Sequence, residues 1–125
     1  MPQQRILIVD DETGFLLALR KILQSAEVQV DTAETFEAAM ELLDRHAYSV
    51  VIADIRLTVS FREEGFEILR HVKTHDPHTR VIILTAYGQA DMIKKALALG
   101  ADLFIEKPAP PRVLQEALKG YGVEC

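Results

Sequence analysis

At 125 residues, 49% of them hydrophobic and 26% charged, the chain is long enough to bury one core and too short for two comfortable ones, so residues 1–125 are expected to form a single domain. Its formal charge is −5 and its basic residues are dispersed (Arg5, Arg20, Lys21, Arg45, Lys94, Lys95), which argues against direct nucleic-acid binding by this domain. The single cysteine, Cys125, rules out an internal disulfide and fits a reducing, cytoplasmic setting.

Taken in chain order, the apolar pattern alternates between short continuous runs and helical stripes. Residues 6–9 form a run closed by Asp10, Asp11 and Glu12, far shorter than a secretion signal or the roughly 20 residues of a membrane span. The stripe Phe15, Leu16, Leu19, Ile22 and Leu23 predicts an amphipathic helix, and residues 28–30 a weaker strand. A second stripe (Phe36, Ala39, Met40, Leu43) precedes a buried strand over residues 48–53, which Asp54 terminates. Phe66, Leu69 and Val72 mark a third helix, stopped by Asp76-Pro77. Residues 81–84 predict a fourth strand leading into Thr85, and Met92, Ile93 and Ala96 a fourth helix ended at Gly100. Residues 103–105 run into Glu106-Lys107-Pro108, and Pro110-Pro111 opens a last helix striped by Val113, Leu114, Ala117 and Leu118.

Five strands alternating with five helices imply a parallel sheet covered on both faces, because each parallel return needs a crossover and right-handed crossovers are preferred. The expected fold is α/β and doubly wound, with strand order 2-1-3-4-5 and the switch point between the first and third strands: a flavodoxin-like architecture. In such sheets ligands bind beyond the carboxyl ends of the strands. Here those ends carry Asp10-Asp11-Glu12, Asp54, Thr85 and Glu106-Lys107. A like-charge pair at about 4 Å costs on the order of 4 kcal/mol at an effective dielectric of 20, so several carboxylates on one rim call for a cation. An all-oxygen set suits Mg²⁺, which keeps waters and accepts phosphoryl oxygens, while Lys107 supplies a mobile positive donor and Thr85 a neutral one. A flavin module of the same architecture would need a phosphate-holding turn after its first strand, and Asp10-Asp11-Glu12 repels phosphate.

The segments Ile8-Val9-Asp10-Asp11-Glu12, Val51-Ile52-Ala53-Asp54-Ile55-Arg56-Leu57, Ile83-Leu84-Thr85-Ala86 and the stretch from Gly100 to Pro108 together resemble the receiver domains of bacterial two-component response regulators, across nearly the whole chain. The resemblance implies that Asp54 takes a phosphoryl group from a sensor histidine kinase or a phosphotransfer protein. It implies Mg²⁺ held by Asp10, Asp11, Asp54 and the main-chain carbonyl of Arg56. Thr85 and Lys107 would bind the phosphoryl oxygens, and Thr85 and Phe104 would form a switch that repacks the surface of the fourth helix, fifth strand and fifth helix. That surface would control an output domain or partner protein and support phosphorylation-dependent homodimers. The domain would then be a phosphoacceptor that assists its own phosphorylation and dephosphorylation, not a conventional enzyme, and the Lys107-Pro108 bond would be cis. Residues 84–95 look most like receivers of transcriptional activators.

The chain departs from the family pattern at one place: Thr58 stands where a proline is usual, and Gly65 follows Asp54 by eleven positions where about eight is usual, with extra residues over 59–64. Arg56 and Tyr87, two positions beyond Asp54 and Thr85, would cover the path of the hydrolytic water and prolong the phosphorylated state. His46, His71, His75 and His78 read as separate surface side chains. The alternative to a working receiver is a pseudo-receiver serving only as an interaction module, but such a domain would lack at least one of the acceptor, the acids, the threonine or the lysine.

Overall fold

The computed structural model describes residues 4–55, 64–86 and 89–123. It alternates strands and helices as β1 (Gln4–Val9), α1 (Thr13–Leu23), β2 (Val28–Ala33), α2 (Phe36–Arg45), β3 (Val50–Ala53), α3 (Glu64–His75), β4 (Arg80–Thr85), α4 (Ala90–Ala98), β5 (Leu103–Glu106) and α5 (Pro111–Gly120). All neighbouring strands pair in parallel, in the order β2-β1-β3-β4-β5. The expected doubly wound fold is the one observed.

Alternation along the strands sorts the core into two layers. Leu7, Val9, Val51, Ala53, Val81 and Ile83 face α2, α3 and α4, where Ala39, Phe66, Leu69 and Ala96 meet them. Ile6, Ile8, Val50, Ile52, Ile82 and Leu84 face α1 and α5, against Leu16, Leu19, Leu114 and Leu118. The central strands are apolar on both sides for this reason, and their continuous runs in the sequence report it.

Local chemistry fixes the helix ends. Thr35 caps α2 by accepting the Ala38 N–H at 3.1 Å. Gly100 adopts φ 103° just past α4, a left-handed position that a side chain would strain. Pro111 occupies the first turn of α5, where its missing N–H leaves no bond unmade.

Several boundaries differ from the sequence reading. β2 runs on through Asp31, Thr32 and Ala33, because Asp31 is held by Arg5 (2.8 Å) and Tyr48 (2.7 Å) and so stays in the ladder. β3 begins at Val50, two residues later than expected, and β4 includes Thr85. Ile22 and Val113, both part of predicted stripes, are exposed at 39% and 36%.

Candidate functional site

The polar residues at the strand ends are placed by the sheet itself. Past the end of β1, the Asp10 N–H donates to the Ala33 carbonyl at 3.0 Å, and past β3 the Asp54 N–H donates to the Val9 carbonyl at 3.0 Å. Past β5, the Lys107 N–H donates to the Thr85 carbonyl at 2.8 Å. Each chemistry-bearing residue is thus the next rung of a strand ladder. The Lys107-Pro108 peptide is cis, as expected.

Asp10, Asp11 and Asp54 each direct a carboxylate oxygen into one region, all within 4.8 Å of one another. Asp10 and Asp54 are buried and Asp11 is exposed. The Asp10 carboxylate is oriented by the Glu12 N–H, which donates to it at 2.9 Å. Lys107 Nζ pairs with Asp10 and lies 3.3 Å from both Asp54 and Glu12. The Phe15 ring, 4.5 Å from the ammonium, covers it on the α1 side, so this member of the predicted core stripe also holds a site cation.

The electrostatics follow from crowding. Burial raises the Asp10 carboxyl above the ordinary range, with Lys107 only partly offsetting it; partial desolvation of its carboxyl and then the neighbouring Asp54 charge raise Asp11, although its side chain stays largely exposed. Burial pulls the Lys107 ammonium down, but Asp10 and Asp54 more than reverse this, leaving it above its usual value. One ammonium among three carboxylates, two of them buried, leaves net negative charge at this end of the sheet. Such an all-oxygen donor set fits a small, hard divalent cation that keeps part of its water shell.

Thr85 is fully buried at the end of β4 and, two residues beyond Ile83, points to the α3/α4 side of the sheet. Phe104 pairs in register with Ile83 and packs, partly buried, against the same layer. Thr85 and Phe104 therefore share one face. The predicted contributions of Arg56 and Tyr87 and the atypical residues 59–63 lie outside the described residues.

Two neighbours of the site were missed by sequence reasoning. Gly65, in the first turn of α3, donates its N–H to the Ile55 carbonyl at 2.8 Å, and a Cβ there would stand 2.1 Å from the Asp54 carbonyl oxygen. α3 is pressed onto the backbone of Asp54, and only glycine fits the contact. Counting positions showed Gly65 as displaced, and nothing in its neighbours revealed the approach. Glu64, 5% exposed, keeps one buried carboxylate oxygen that has no hydrogen-bond partner among the described residues. In the sequence it sits in the polar stretch Arg62-Glu63-Glu64, which reads as solvent-facing.

The comparisons with known proteins agree with this geometry. Sporulation initiation phosphotransferase F of Bacillus subtilis is 32% identical over 97% of this chain and 95% of its own length. The alginate biosynthesis transcriptional regulatory protein AlgB of Pseudomonas aeruginosa is 33% identical over 92% of this chain, which spans only 25% of that larger regulator. A CheY-like response regulator receiver domain protein from Methanospirillum hungatei superposes with a TM-score of 0.86 at 31% identity, covering 94% of this chain and 92% of that one. No described helix is long and apolar enough to cross a membrane. With the family model of the response regulator receiver domain matched over residues 6–119, this chain belongs to that family.

Proposed function

We propose that Asp54 is the phosphoacceptor of a two-component signalling receiver and that residues 1–125 act as one cytoplasmic domain. The observation that carries this reading is the convergence of Asp54 with Asp10 and Asp11 at the sheet's switch point, with Asp54 3.3 Å from the Lys107 ammonium. Asp10, Asp11, Asp54 and the main-chain carbonyl of Arg56 would hold Mg²⁺. Bound there, the ion supplies charge neutralisation for the transferred phosphoryl group.

The chain's own residues then account for the transfer. An Asp54 carboxylate oxygen attacks phosphorus in line, forming an acyl phosphate as the P–N bond to the donor imidazole of a sensor histidine kinase or phosphotransfer protein breaks; the histidine leaves neutral after taking a proton. Lys107 follows the charge gathering on the phosphoryl oxygens, exchanging part of its contact with Asp10 for them. Thr85 donates its hydroxyl to the same oxygens. Its withdrawal from the α3/α4 side opens space into which Phe104 turns, and the surface of α4, β5 and α5 shifts between two packings. That surface controls an output domain or partner and favours homodimers when phosphorylated, while this domain makes no direct contact with nucleic acid. Asp54 and its neighbours also carry the hydrolytic return to the free carboxylate.

The test is labelling of the full chain with acetyl phosphate and Mg²⁺. We expect an added phosphoryl group that maps to Asp54 and is lost in Asp54→Asn, and labelling that falls when Mg²⁺ is chelated. Undiminished labelling of the variant at another residue overturns the acceptor assignment. A parent chain that takes no label is instead a pseudo-receiver.

A further inference from the structure

The Lys107 ammonium ends a flexible four-carbon stem, yet its side chain is only 13% exposed. It donates to Asp10, Glu12 and Asp54, the last two at 3.3 Å. The Phe15 ring closes a further side, its centre 4.5 Å from Nζ. Phe15 belongs to the first turn of α1 and packs, partly buried, on the layer that holds Leu16, Leu19 and Leu84, so the ring is anchored by the core and not by the acids. Phe15 and Lys107 also share the lining of a cavity of about 500 Å³ with Leu19, Leu84, Pro108 and Leu114, where an unanchored lysine has room to swing.

A neutral ring does here what another carboxylate does not. Its face attracts the cation through the ring quadrupole and leaves the N–H bonds to oxygen acceptors. The attraction persists out to about 6 Å from the ring centre, so an ammonium held at 4.5 Å keeps it while shifting from one oxygen to the next.

We propose that Phe15 is a positioning residue of the site: its ring over the Lys107 ammonium keeps that charge turned toward Asp10 and Asp54, shielded from water on one side and free to pass to a phosphoryl oxygen. The role rests on the reading of Asp54 as phosphoacceptor and of Lys107 as phosphoryl ligand. Without the ring, the ammonium gains water on that side and the room of the neighbouring cavity, and it spends less of its time beside Asp54. Apolar bulk alone does not substitute, because an aliphatic side chain has no negative face.

The test pairs acetyl phosphate labelling of the full chain in Mg²⁺ with NMR of the Lys107 ammonium in the same variants without phosphodonor. Phe15→Leu keeps apolar bulk and should slow labelling about threefold to tenfold at equal acetyl phosphate, the loss of one partly desolvated cation–π contact. The Lys107 NH₃⁺ protons should exchange with water faster by about the same factor. Phe15→Tyr, which keeps the π face, should stay within about twofold of the parent in both measurements. Trifluorinated phenylalanine at position 15 retains the ring's shape while draining its face of negative charge; it should behave like Phe15→Leu, and it separates charge from packing even where leucine disturbs the fold. Parental labelling rates in both Phe15→Leu and the fluorinated chain overturn the proposal, as does a loss in Phe15→Tyr equal to that in Phe15→Leu. A parent chain that takes no label refutes the phosphoacceptor reading instead, and the Lys107 exchange rates then decide alone whether Phe15 places the ammonium.

Discussion

Asp11 illustrates what crowding the carboxylates at the sheet's end costs the fold. Its folded-state pKa is raised by partial desolvation and by Asp54, so the folded state holds this proton more readily than the unfolded chain does, and stability falls as pH rises from 3.8 through that raised value. At neutral pH without a divalent ion the charge works against folding. Asp11→Asn should therefore be more stable than the parent in chelator by a few tenths of a kcal/mol, at most about 1, because solvent screens the exposed side chain below the value of a like-charge contact near 4 Å in water. Added Mg²⁺ should narrow the gap by stabilising the parent more. Urea unfolding with and without Mg²⁺ measures both, and a variant less stable than the parent in chelator would contradict the account. Gly65 sets a second expectation. Its Cβ position overlaps the Asp54 carbonyl, so Gly65→Ala should cost about 1–3 kcal/mol and also lower the rate of labelling by acetyl phosphate, because the clash is resolved by moving the backbone of the proposed acceptor. Full parental labelling in a destabilised Gly65→Ala would place the strain elsewhere. Asp10, Asp11, Asp54, Thr85 and Lys107 were legible in the sequence because each closes an apolar run. Gly65 and Glu64 were not, because their burial depends on how closely the start of α3 approaches the backbone of Asp54 and Ile55, and no local pattern encodes that.

Among the helices, α4 is the least committed to the core. Like α2 it buries a single residue, Ala96, but only Met92 packs on the core beside it, where α2 adds Phe36, Ala38, Leu42 and Leu43, and Leu97 stands 52% exposed. α3, by contrast, buries Phe66, Ile68, Leu69 and Val72. Low burial lowers the free energy of local opening. Hydrogen exchange should show α4 amides losing protection at least about tenfold sooner than those of α3 and β4, and a beryllofluoride-type phosphoryl mimic should alter α4 more than α1. Equal protection of α3 and α4 would argue against α4 as the yielding part of the proposed switch. The existence of all ten elements followed from periodicity, since apolar runs and 3.6-residue stripes differ enough to be told apart. Their ends followed less well: β2 extends because Asp31 finds Arg5 and Tyr48, partners far away in the chain. Ile22 and Val113 fit helical stripes by spacing, yet each falls at the edge of a buried face where the sheet no longer covers it.

Across the molecule, an ion-paired junction opposes the acidic pocket in sign. Asp102 accepts from Lys73 at 2.9 Å, from Arg80 at 3.2 Å and from the Val81 N–H at 2.8 Å, joining α3, β4 and the entry to β5. Burial works against the Asp102 charge, but Lys73, Val81 and Arg80 outweigh it and its pKa lies below 3.8. Asp31 is lowered likewise by Tyr48 and Arg5. Groups of this kind contribute stability that is complete above 3.8 and lost as pH falls through their folded values. Asp102→Asn should thus cost about 2 kcal/mol at pH 7, and the difference from the parent should shrink below pH 3.8. A pH series of thermal melts checks it; a constant difference down to pH 2.5, well beneath the usual carboxylate range, would show that charge is not the cause.

The ladder bonds that carry Asp10, Asp54 and Lys107 past the ends of their strands have a consequence for how this pocket ages and adapts. An active site hung on loops can drift while its scaffold stands, but here the three backbones are stitched to Ala33, Val9 and Thr85 by the same thread as the sheet. The pocket keeps its shape for as long as the domain is folded, and substitutions among the helices can retune what the domain talks to without loosening the chemistry it reports.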